Sequence, residues 1–256
     1  MLRAISQRGD LVLLTGEERR ARLRDARLLL IFTPGLAGED ALRSLERALP
    51  FVDVVQVRPK VLGDRAPGAA PGASITRARD AHRWCHKVLE LRSASGLESP
   101  PLVVVNDRVD VAAALAEEGL DGVHVGADDT PPSVARRVLG PDPIIGLSTH
   151  TAAELAAALD EPVDMLGFGP VFPTPTKGYT AAPGPVTQPA IVGPERAWLA
   201  AASSEVPLFP IGGIDLSNAD QLDRVGRAAV GSAILGADDP GLAARGLRAV
   251  LEGGEA

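Results

Sequence analysis

The sequence is poor in cysteine, whose disulfides stabilise many secreted proteins, and it has no long apolar run of the kind that crosses membranes. Its single cysteine, Cys85, excludes an intrachain disulfide and favours a reducing compartment such as the cytoplasm. The apolar run LVLLT near the N-terminus is shorter than a signal-peptide core, and no run approaches the length of a membrane span. We therefore expect a cytoplasmic protein with no membrane partner.

Aromatic residues and excess positive charge are also scarce. Aromatic residues make up 3% of the 256 residues while hydrophobic residues make up 45%, so the core must be built from aliphatic side chains. The net charge of −7 argues against a surface that binds nucleic acid. It leaves room for a local basic pocket that binds a small anionic molecule.

Short β-rich runs alternate with amphipathic helical segments along the chain, as between DVAAALAEEG (110–119) and TAAELAAALD (151–160). Thr151 and Glu154 have the spacing of a helix capping box. Eight strand-then-helix units favour a single-domain (β/α)8 TIM barrel, with a doubly wound open sheet as the alternative. No dinucleotide-type glycine fingerprint follows an early strand. The predicted strands are 27–33, 52–58, 102–106, 122–126, 144–148, 164–169, 206–213 and 227–232.

Two segments exceed a minimal barrel. Residues 1–26 are charged and precede the first strand, so we assign them to an N-terminal extension and residues 27–256 to the barrel. Residues 61–73 (VLGDRAPGAAPGA) are rich in Pro, Gly and Ala and are predicted to form a mobile loop. Because this loop follows a strand, we expect it at the C-terminal face of the barrel.

Polar residues recur at inward positions near the ends of the predicted strands. In VVQVRPK, residues Gln56, Arg58 and Lys60 share one parity, while Val55 and Val57 take the other. The same interpretation directs three residues of the next strands inward: Asn106, His124 and Ser148. Because barrel active sites lie at the C-terminal ends of the strands, this pattern predicts a binding mouth.

Glycines and hydroxyls follow the later strands. The stretch GFGPVFPTPTKGY (167–179) holds Thr174, Thr176 and Lys177 in a proline-rich loop. Gly167, Gly169, Gly212, Gly213 and Gly231 let a ligand approach bare backbone N–H groups. The loops after the last two strands are the usual phosphate site of a TIM barrel, so this side is predicted to bind phosphate.

Several of these motifs, in this order, resemble the thiamine-phosphate synthase family over residues 28–236. The matching stretches are VQVRPK, VNDRVDVAAALAEEGLDGVHVGADD, IGLSTHT, GFGPVFPTPTK, IGGI and VGSAIL. The resemblance implies a TIM-barrel transferase in which hydroxymethylpyrimidine diphosphate reacts with hydroxyethylthiazole phosphate. The products would be thiamine phosphate and pyrophosphate, with Mg²⁺ as cofactor. It leaves homo-oligomerisation open.

The resemblance also implies roles for individual residues. The pyrimidine diphosphate would contact six of them: Gln56, Arg58, Lys60, Asn106, Ser148 and Lys177. The thiazole phosphate would be held by Thr174, Thr176, Gly213, Gly231 and Ser232. Asp107 and Asp129 would bind Mg²⁺, and the catalytic groups would be Arg58, Lys60, Ser148 and Lys177. The stiff loop at 174–177 would then lie between the substrates.

The proposed chemistry is consistent with these residue types. A diphosphate leaves only when its growing negative charge is stabilised, which basic side chains and an oxygen-liganded cation can do. The thiazole nitrogen is itself the nucleophile, so the protein needs none. Pro59 and Ala127 depart from the family pattern, where an acidic residue and a glutamine are common.

Other interpretations compete at single residues. Asp107 has the position of a helix cap, and Asp128 competes with Asp129 as a metal ligand. His124 is expected to be an inward histidine satisfied by the protein rather than a catalyst. His82, Cys85 and His86 (in HRWCH) lack the further ligands that a metal site needs.

Two rival functions remain at this point. A thiazole tautomerase on the same scaffold would use His150 and need no diphosphate pocket. A regulatory homologue would bind thiazole phosphate without turnover. The diphosphate-type residues Gln56, Arg58 and Lys60 argue against the tautomerase.

Overall fold

The computed structural model describes residues 13–37, 40–59, 77–174 and 190–254. These residues form an eight-stranded, all-parallel sheet in the order β7-β6-β5-β4-β3-β2-β1-β8. All eight predicted strands are present, most of them shortened by one or more residues at their ends. Their bounds are β1 Leu28–Phe32, β2 Val54–Val57, β3 Leu102–Asn106, β4 Gly122–Val125, β5 Ile144–Thr149, β6 Met165–Phe168, β7 Leu208–Pro210 and β8 Ala228–Val230.

Helices alternate with the strands and pack around the sheet. They are α1 Gly16–Asp25, α2 Ala41–Ala48, α3 Ala78–Ala94, α4 Val109–Ala114, α5 Pro132–Leu139, α6 Ala152–Leu159, α7 Gly193–Ala202, α8 Ser232–Leu235 and α9 Pro240–Leu251. Short 3₁₀ turns lie at Pro34–Leu36, Leu49–Phe51, Ala116–Glu118 and Ala219–Leu222. The helix predicted over 110–119 is therefore a shorter α-helix followed by a 3₁₀ turn.

The sheet closes on itself. β1 pairs with β8 as well as with β2, and a bridge between Ile211 and Ala229 joins the β7 and β8 edges. A closed parallel sheet with helices outside is the predicted TIM barrel, and the open-sheet alternative is wrong. The segment 61–73 lies outside the described residues.

The strand alternation separates two hydrophobic cores. Val55 and Val57 pack in the outer core between strands and helices, while Val54 packs in a smaller core inside the barrel. Leu29 and Phe209 belong to the same inner core. Because side chains alternate along a strand, the next inward positions lie nearer the mouth, which is where the polar residues begin.

Aspartates stand directly before three alternate strands, at the end of the barrel opposite the mouth, here called the floor. Asp53, Asp121 and Asp164 precede β2, β4 and β6. Each uses a side-chain oxygen to accept a hydrogen bond from a backbone N–H at the start of the preceding strand, at 2.8–3.0 Å: Leu28 to Asp53, Val103 to Asp121 and Ile145 to Asp164. The carboxylates therefore satisfy backbone groups that the sheet leaves open at its lower edge.

Helix α1 covers this floor. Its Leu23 packs in the inner core, and Arg19 and Arg20 reach Asp121 and Asp164 at 3.0 and 2.7 Å. The three aspartates also pair with arginines of the helices around the barrel: Arg248 with Asp53, Arg92 with Asp121 and Arg136 with Asp164. The part of the predicted N-terminal extension that forms α1 thus contributes to closing the barrel.

Side-chain caps begin helices α1, α2, α6 and α9, with one difference from the sequence prediction. The Thr151 hydroxyl accepts the backbone N–H of Glu154 at 3.1 Å, as a cap requires. The Glu154 carboxylate does not return to Thr151 but accepts the backbone N–H of His150. Only half of the predicted capping box forms, because the Glu154 carboxylate binds His150 instead of Thr151. A complete box forms instead in α1, between Thr15 and Glu18.

Candidate active site

A cavity opens at the C-terminal ends of the strands. Its empty volume is about 1010 Å³, with open solvent at the mouth included. Ten of the residues assigned to the site from the sequence are among the described residues, and seven of the eight that line this cavity are Gln56, Arg58, Asn106, Ser148, Thr174, Gly213 and Gly231. Ser232 lines it as well, while Asp107 and Asp129 lie in the loops that follow β3 and β4. Lys60, Thr176 and Lys177 lie outside the described residues.

The polar side of the cavity is built by β2 to β5. Gln56 donates from Nε2 to Oδ1 of Asn106 at 2.7 Å, so the two amides hold each other across neighbouring strands. Arg58 follows one inward position above Gln56 and is 8% exposed. The parity prediction for this strand is confirmed, because Gln56 and Arg58 line the cavity and Val57 packs outside.

His124 positions Ser148 on this side. His124 Nε2 lies 2.9 Å from Ser148 Oγ, on the neighbouring strand β5. The imidazole lies over Gly146, where a Cβ would come within 2.3 Å of Nδ1. His124 points inward as predicted, and its contact with Ser148 is what the sequence did not reveal. Gly146 lies opposite His124 in the register and two residues before Ser148. This glycine is the sequence signal for a ring at that position.

Glycines build the opposite side, at the ends of β6 to β8. Gly212 and Gly213 have φ angles of +101° and +66°, values that residues with a side chain rarely adopt. A Cβ on Gly213 would lie 2.4 Å from the carbonyl oxygen of Pro173, so the fold itself requires this glycine. A Cβ on Gly231 would lie no closer than 3.4 Å to Ile31, so at that position the fold tolerates a methyl group.

The loop after β6 brings a threonine to the cavity. Thr174 is 7% exposed and lines the cavity beside the glycine side. The backbone N–H of Phe172 donates to Gly212 at 2.9 Å, which ties this loop to the end of β7. The hydroxyl at 174 therefore stands where the β6 and β7 loops meet.

Asp107 and Asp129 follow neighbouring strands. Asp107 has a φ of +64° and donates its backbone N–H to the carbonyl of His124 at 2.8 Å. Left-handed backbone in a non-glycine residue is costly and is common at functional sites. Asp129 accepts the backbone N–H of Gly126 at 2.8 Å through Oδ2. The N-cap of α4 is Arg108 and that of α5 is Pro131, so neither aspartate occupies a capping position.

These carboxylates suit a hard cation that keeps water and substrate oxygens as further ligands. Mg²⁺ is commonly bound by one or two carboxylates together with substrate phosphates. Within the described ranges no group of three or more His, Cys, Asp or Glu side chains could hold a metal by itself. The adjacent Arg108 binds Asp110, and this hydrogen bond lowers the pKa of the Asp110 carboxyl.

Two cavity residues received little weight from the sequence. His150 Nδ1 donates to the carbonyl of Gly169, and the imidazole lines the cavity. Thr33, directly after β1, lines it too and is 1% exposed. The alternation Leu29, Ile31, Thr33 carried that signal, since the hydroxyl continues the inward series of β1.

The segment HRWCH forms no metal site among the described residues. Cys85 is buried, and burial raises the pKa of its thiol to about 12. The imidazole of His86 instead lies 3.5 Å from Glu90 and 3.7 Å from Glu118 at the surface. No described helix combines the length and the apolar character that a bilayer crossing demands.

Comparison with known proteins agrees with this geometry. A family model described as thiamine monophosphate synthase matches residues 28–234. The thiamine-phosphate synthase of Mycobacterium sp. (strain KMS) is 39% identical over 203 residues, which cover 78% of this chain and 80% of that protein. The thiamine-phosphate synthase of Synechococcus sp. (strain CC9605) is 38% identical over 93% of this chain and 59% of its own length.

Among solved structures, thiamine phosphate pyrophosphorylase from Pyrococcus furiosus superimposes with a TM-score of 0.68. It is 29% identical, and the match covers 91% of this chain and 98% of that one. A 3-hexulose-6-phosphate synthase matches with a TM-score of 0.55 at 16% identity, which is a likeness of fold alone.

Proposed function

The chain belongs to the thiamine monophosphate synthase family, and we propose that its cavity binds the two substrates on opposite sides and joins them with the help of Mg²⁺. Thiamine-phosphate synthase is a transferase, and the tautomerase and regulatory alternatives are not favoured by these relatives. The observation that carries the proposal is the two-sided cavity. Amide, guanidinium and hydroxyl groups line β2 to β5, while glycines line β6 to β8.

The polar side takes the pyrimidine diphosphate. Gln56 lies one inward position deeper than Arg58, and Asn106, which the register places level with Arg58, pairs its amide with that of Gln56. The two amides match a flat heterocycle that carries ring nitrogens and an amino group. Arg58 stands nearer the mouth, where its guanidinium binds the diphosphate oxygens. Lys60 and Lys177, which lie outside the described residues, are assigned to the same anion by their sequence motifs.

The glycine side takes the thiazole phosphate. Backbone at Gly213 and Gly231 is open to the cavity, and the hydroxyls of Thr174 and Ser232 lie beside it. Backbone N–H groups and hydroxyls together make an anion site without a full positive charge. Thr176, outside the described residues, completes this set in the proposal.

The reaction replaces one bond by another at the pyrimidine methylene carbon. The bond from this carbon to the diphosphate oxygen breaks, and its electron pair leaves with the pyrophosphate. The positive charge left behind spreads into the aminopyrimidine ring, and the thiazole nitrogen donates its lone pair to form the new bond. Arg58 stabilises the charge that develops on the leaving group, and Ser148, oriented by His124, donates a hydrogen bond to it.

Asp107 and Asp129 hold the Mg²⁺ in this proposal. When bound, the ion would neutralise charge on the diphosphate and so make it a better leaving group. The two aspartates follow β3 and β4, the strands next to β2, so they lie on the same side of the mouth as Arg58 and would hold the ion there.

The test is turnover with both substrates and Mg²⁺, measured as pyrophosphate release and thiamine phosphate formation. A control without thiazole phosphate detects simple hydrolysis of the diphosphate. Formation of both products in equal amounts supports the synthase. Isomerisation of a thiazole substrate without pyrophosphate release would favour the tautomerase, and thiazole phosphate binding without turnover would favour the regulatory homologue.

A further inference from the structure

The hydroxyl of Thr33 is a buried polar group that makes no hydrogen bond within the described part of the chain. Thr33 lines the active-site cavity and is 1% exposed. Its Oγ1 has no hydrogen-bond partner among the residues that the structure describes. Buried hydroxyls nearly always have a partner, because an unpaired one loses its hydration without compensation. A ligand in the cavity is a partner that would remove this penalty.

The local structure offers Thr33 a partner that it does not take. Thr33 is the N-cap of the 3₁₀ turn Pro34–Leu36, but its side chain makes no capping hydrogen bond, and the turn is closed by its backbone carbonyl. Thr149 is a matched case at the end of β5. It is also 1% exposed, yet its Oγ1 donates to the carbonyl of Gly167 at 2.9 Å.

The register of the sheet decides which subsite Thr33 faces. Phe32 pairs with Val57, and the backbone N–H of Arg58 donates to Phe32 at 2.8 Å, so Thr33 is level with Arg58. On the other flank Leu30 pairs with Val230, which places Gly231 level with Ile31, one inward position deeper. Arg58, the proposed diphosphate ligand, therefore lies beside Thr33, whereas Gly231 of the glycine side lies beside Ile31.

We infer that Thr33 donates a hydrogen bond from Oγ1 to a phosphate oxygen of the pyrimidine diphosphate, next to Arg58. This inference rests on the proposed function of the cavity. A hydrogen bond from a hydroxyl to a charged oxygen is stronger than one between two neutral groups. Thr33 thus adds a neutral donor to the basic residues, and the diphosphate supplies an acceptor that the described residues do not offer.

The experiment compares Thr33→Val with Thr149→Val. Each substitution removes one buried hydroxyl and keeps the shape of the side chain. Titration calorimetry with the pyrimidine diphosphate and with thiazole phosphate, both in Mg²⁺, measures binding, and thermal unfolding measures stability. Thr33→Ser is the third variant, since it keeps the hydroxyl and loses the methyl group.

We expect Thr33→Val to weaken diphosphate binding about 10- to 100-fold, the usual effect of losing a hydrogen bond to a charged group. Its Tm should stay or rise, because an unpaired hydroxyl has been removed. Thr33→Ser should retain most of the affinity. Thr149→Val should bind both ligands normally and lose about 2–4 °C of Tm, since it breaks a hydrogen bond within the protein.

Two results would overturn the inference. One is unchanged diphosphate affinity in Thr33→Val, whether or not its Tm falls, and the other is a loss of thiazole phosphate affinity instead. The wild-type protein separates these from a failure of the proposed function. If it binds no pyrimidine diphosphate, the functional assignment of the cavity is wrong as well.

Discussion

The floor and the mouth of this barrel both hold charged side chains inside the ring of strands, but the surroundings of these side chains differ. At the floor, Asp121 is 2% exposed and is held by Arg19, Arg92 and the backbone N–H of Val103. At the mouth, Arg58 is nearly as buried, yet it lines an open cavity. The floor is closed by its own ion pairs, whereas the mouth directs polar groups towards space that a ligand can fill.

The comparison shows how one scaffold separates stability from chemistry. The strands run in the same direction, so their starts form one end and their ends form the other. Paired charges at the starts join α1 and the outer helices to the sheet. Few side chains contact both ends of the barrel. Substitutions at the floor should therefore change mainly stability, and substitutions at the mouth mainly turnover and ligand binding.

The largest expected effect is at the floor. Asp121→Ala leaves Arg19 and Arg92 buried without their carboxylate and should lower the free energy of unfolding by about 3–5 kcal/mol. Denaturant unfolding measures this loss. The control is Asp80→Ala, which breaks the exposed Arg83–Asp80 pair and should lose less than about 1 kcal/mol. Equal losses in the two variants would contradict the division between floor and surface.

The next effect is at the mouth. Arg58→Ala should lower turnover by about 10²- to 10³-fold, the usual result of removing one donor that stabilises developing charge. Its unfolding free energy should change little, since the side chain lines a cavity. Steady-state pyrophosphate release and denaturant unfolding measure the two quantities. Near wild-type turnover would remove Arg58 from the mechanism.

Mg²⁺ coupling should be smaller. We expect weak Mg²⁺ binding to the free protein and stronger binding with the pyrimidine diphosphate, by about 5- to 150-fold. Reciprocity requires Mg²⁺ to tighten the diphosphate by the same factor. Asp107→Asn should remove most of this coupling and keep thiazole phosphate affinity, and asparagine tolerates the positive φ at this position. Calorimetry with and without Mg²⁺ measures both factors, and diphosphate affinity indifferent to the metal and the substitution would refute the site.

The smallest effect concerns the glycine side. Gly231→Ala adds a methyl group that the fold accommodates, so it should weaken thiazole phosphate binding about tenfold and leave stability nearly unchanged. Gly213→Val, by contrast, should destabilise the protein, because its Cβ would meet the Pro173 carbonyl. Calorimetry and thermal unfolding separate the two. If Gly231→Ala weakens the binding of both substrates equally, that glycine does not face the thiazole phosphate alone.

Many of the residues at the mouth could be predicted because the direction of a side chain in a strand depends only on its position along that strand. The alternation in VVQVRPK predicted that Gln56 and Arg58 point inward, and it did so without knowledge of any partner strand. The same rule could have identified Thr33. The role of Gly213 was predicted only in part, since its contact with Pro173 depends on how the β6 and β7 loops meet.

The sequence by itself determined the eight strands, their alternation and the family, because periodicity and motifs need only neighbouring residues. Tertiary structure alone decided that α1 closes the floor and that His124 holds Ser148. It also decided that the Thr33 hydroxyl has no hydrogen-bond partner in the described part of the chain while that of Thr149 has one. These contacts join residues that lie on different strands or on α1 and the barrel. Their existence depends on the closure and register of the sheet, which fix distances that no local pattern contains.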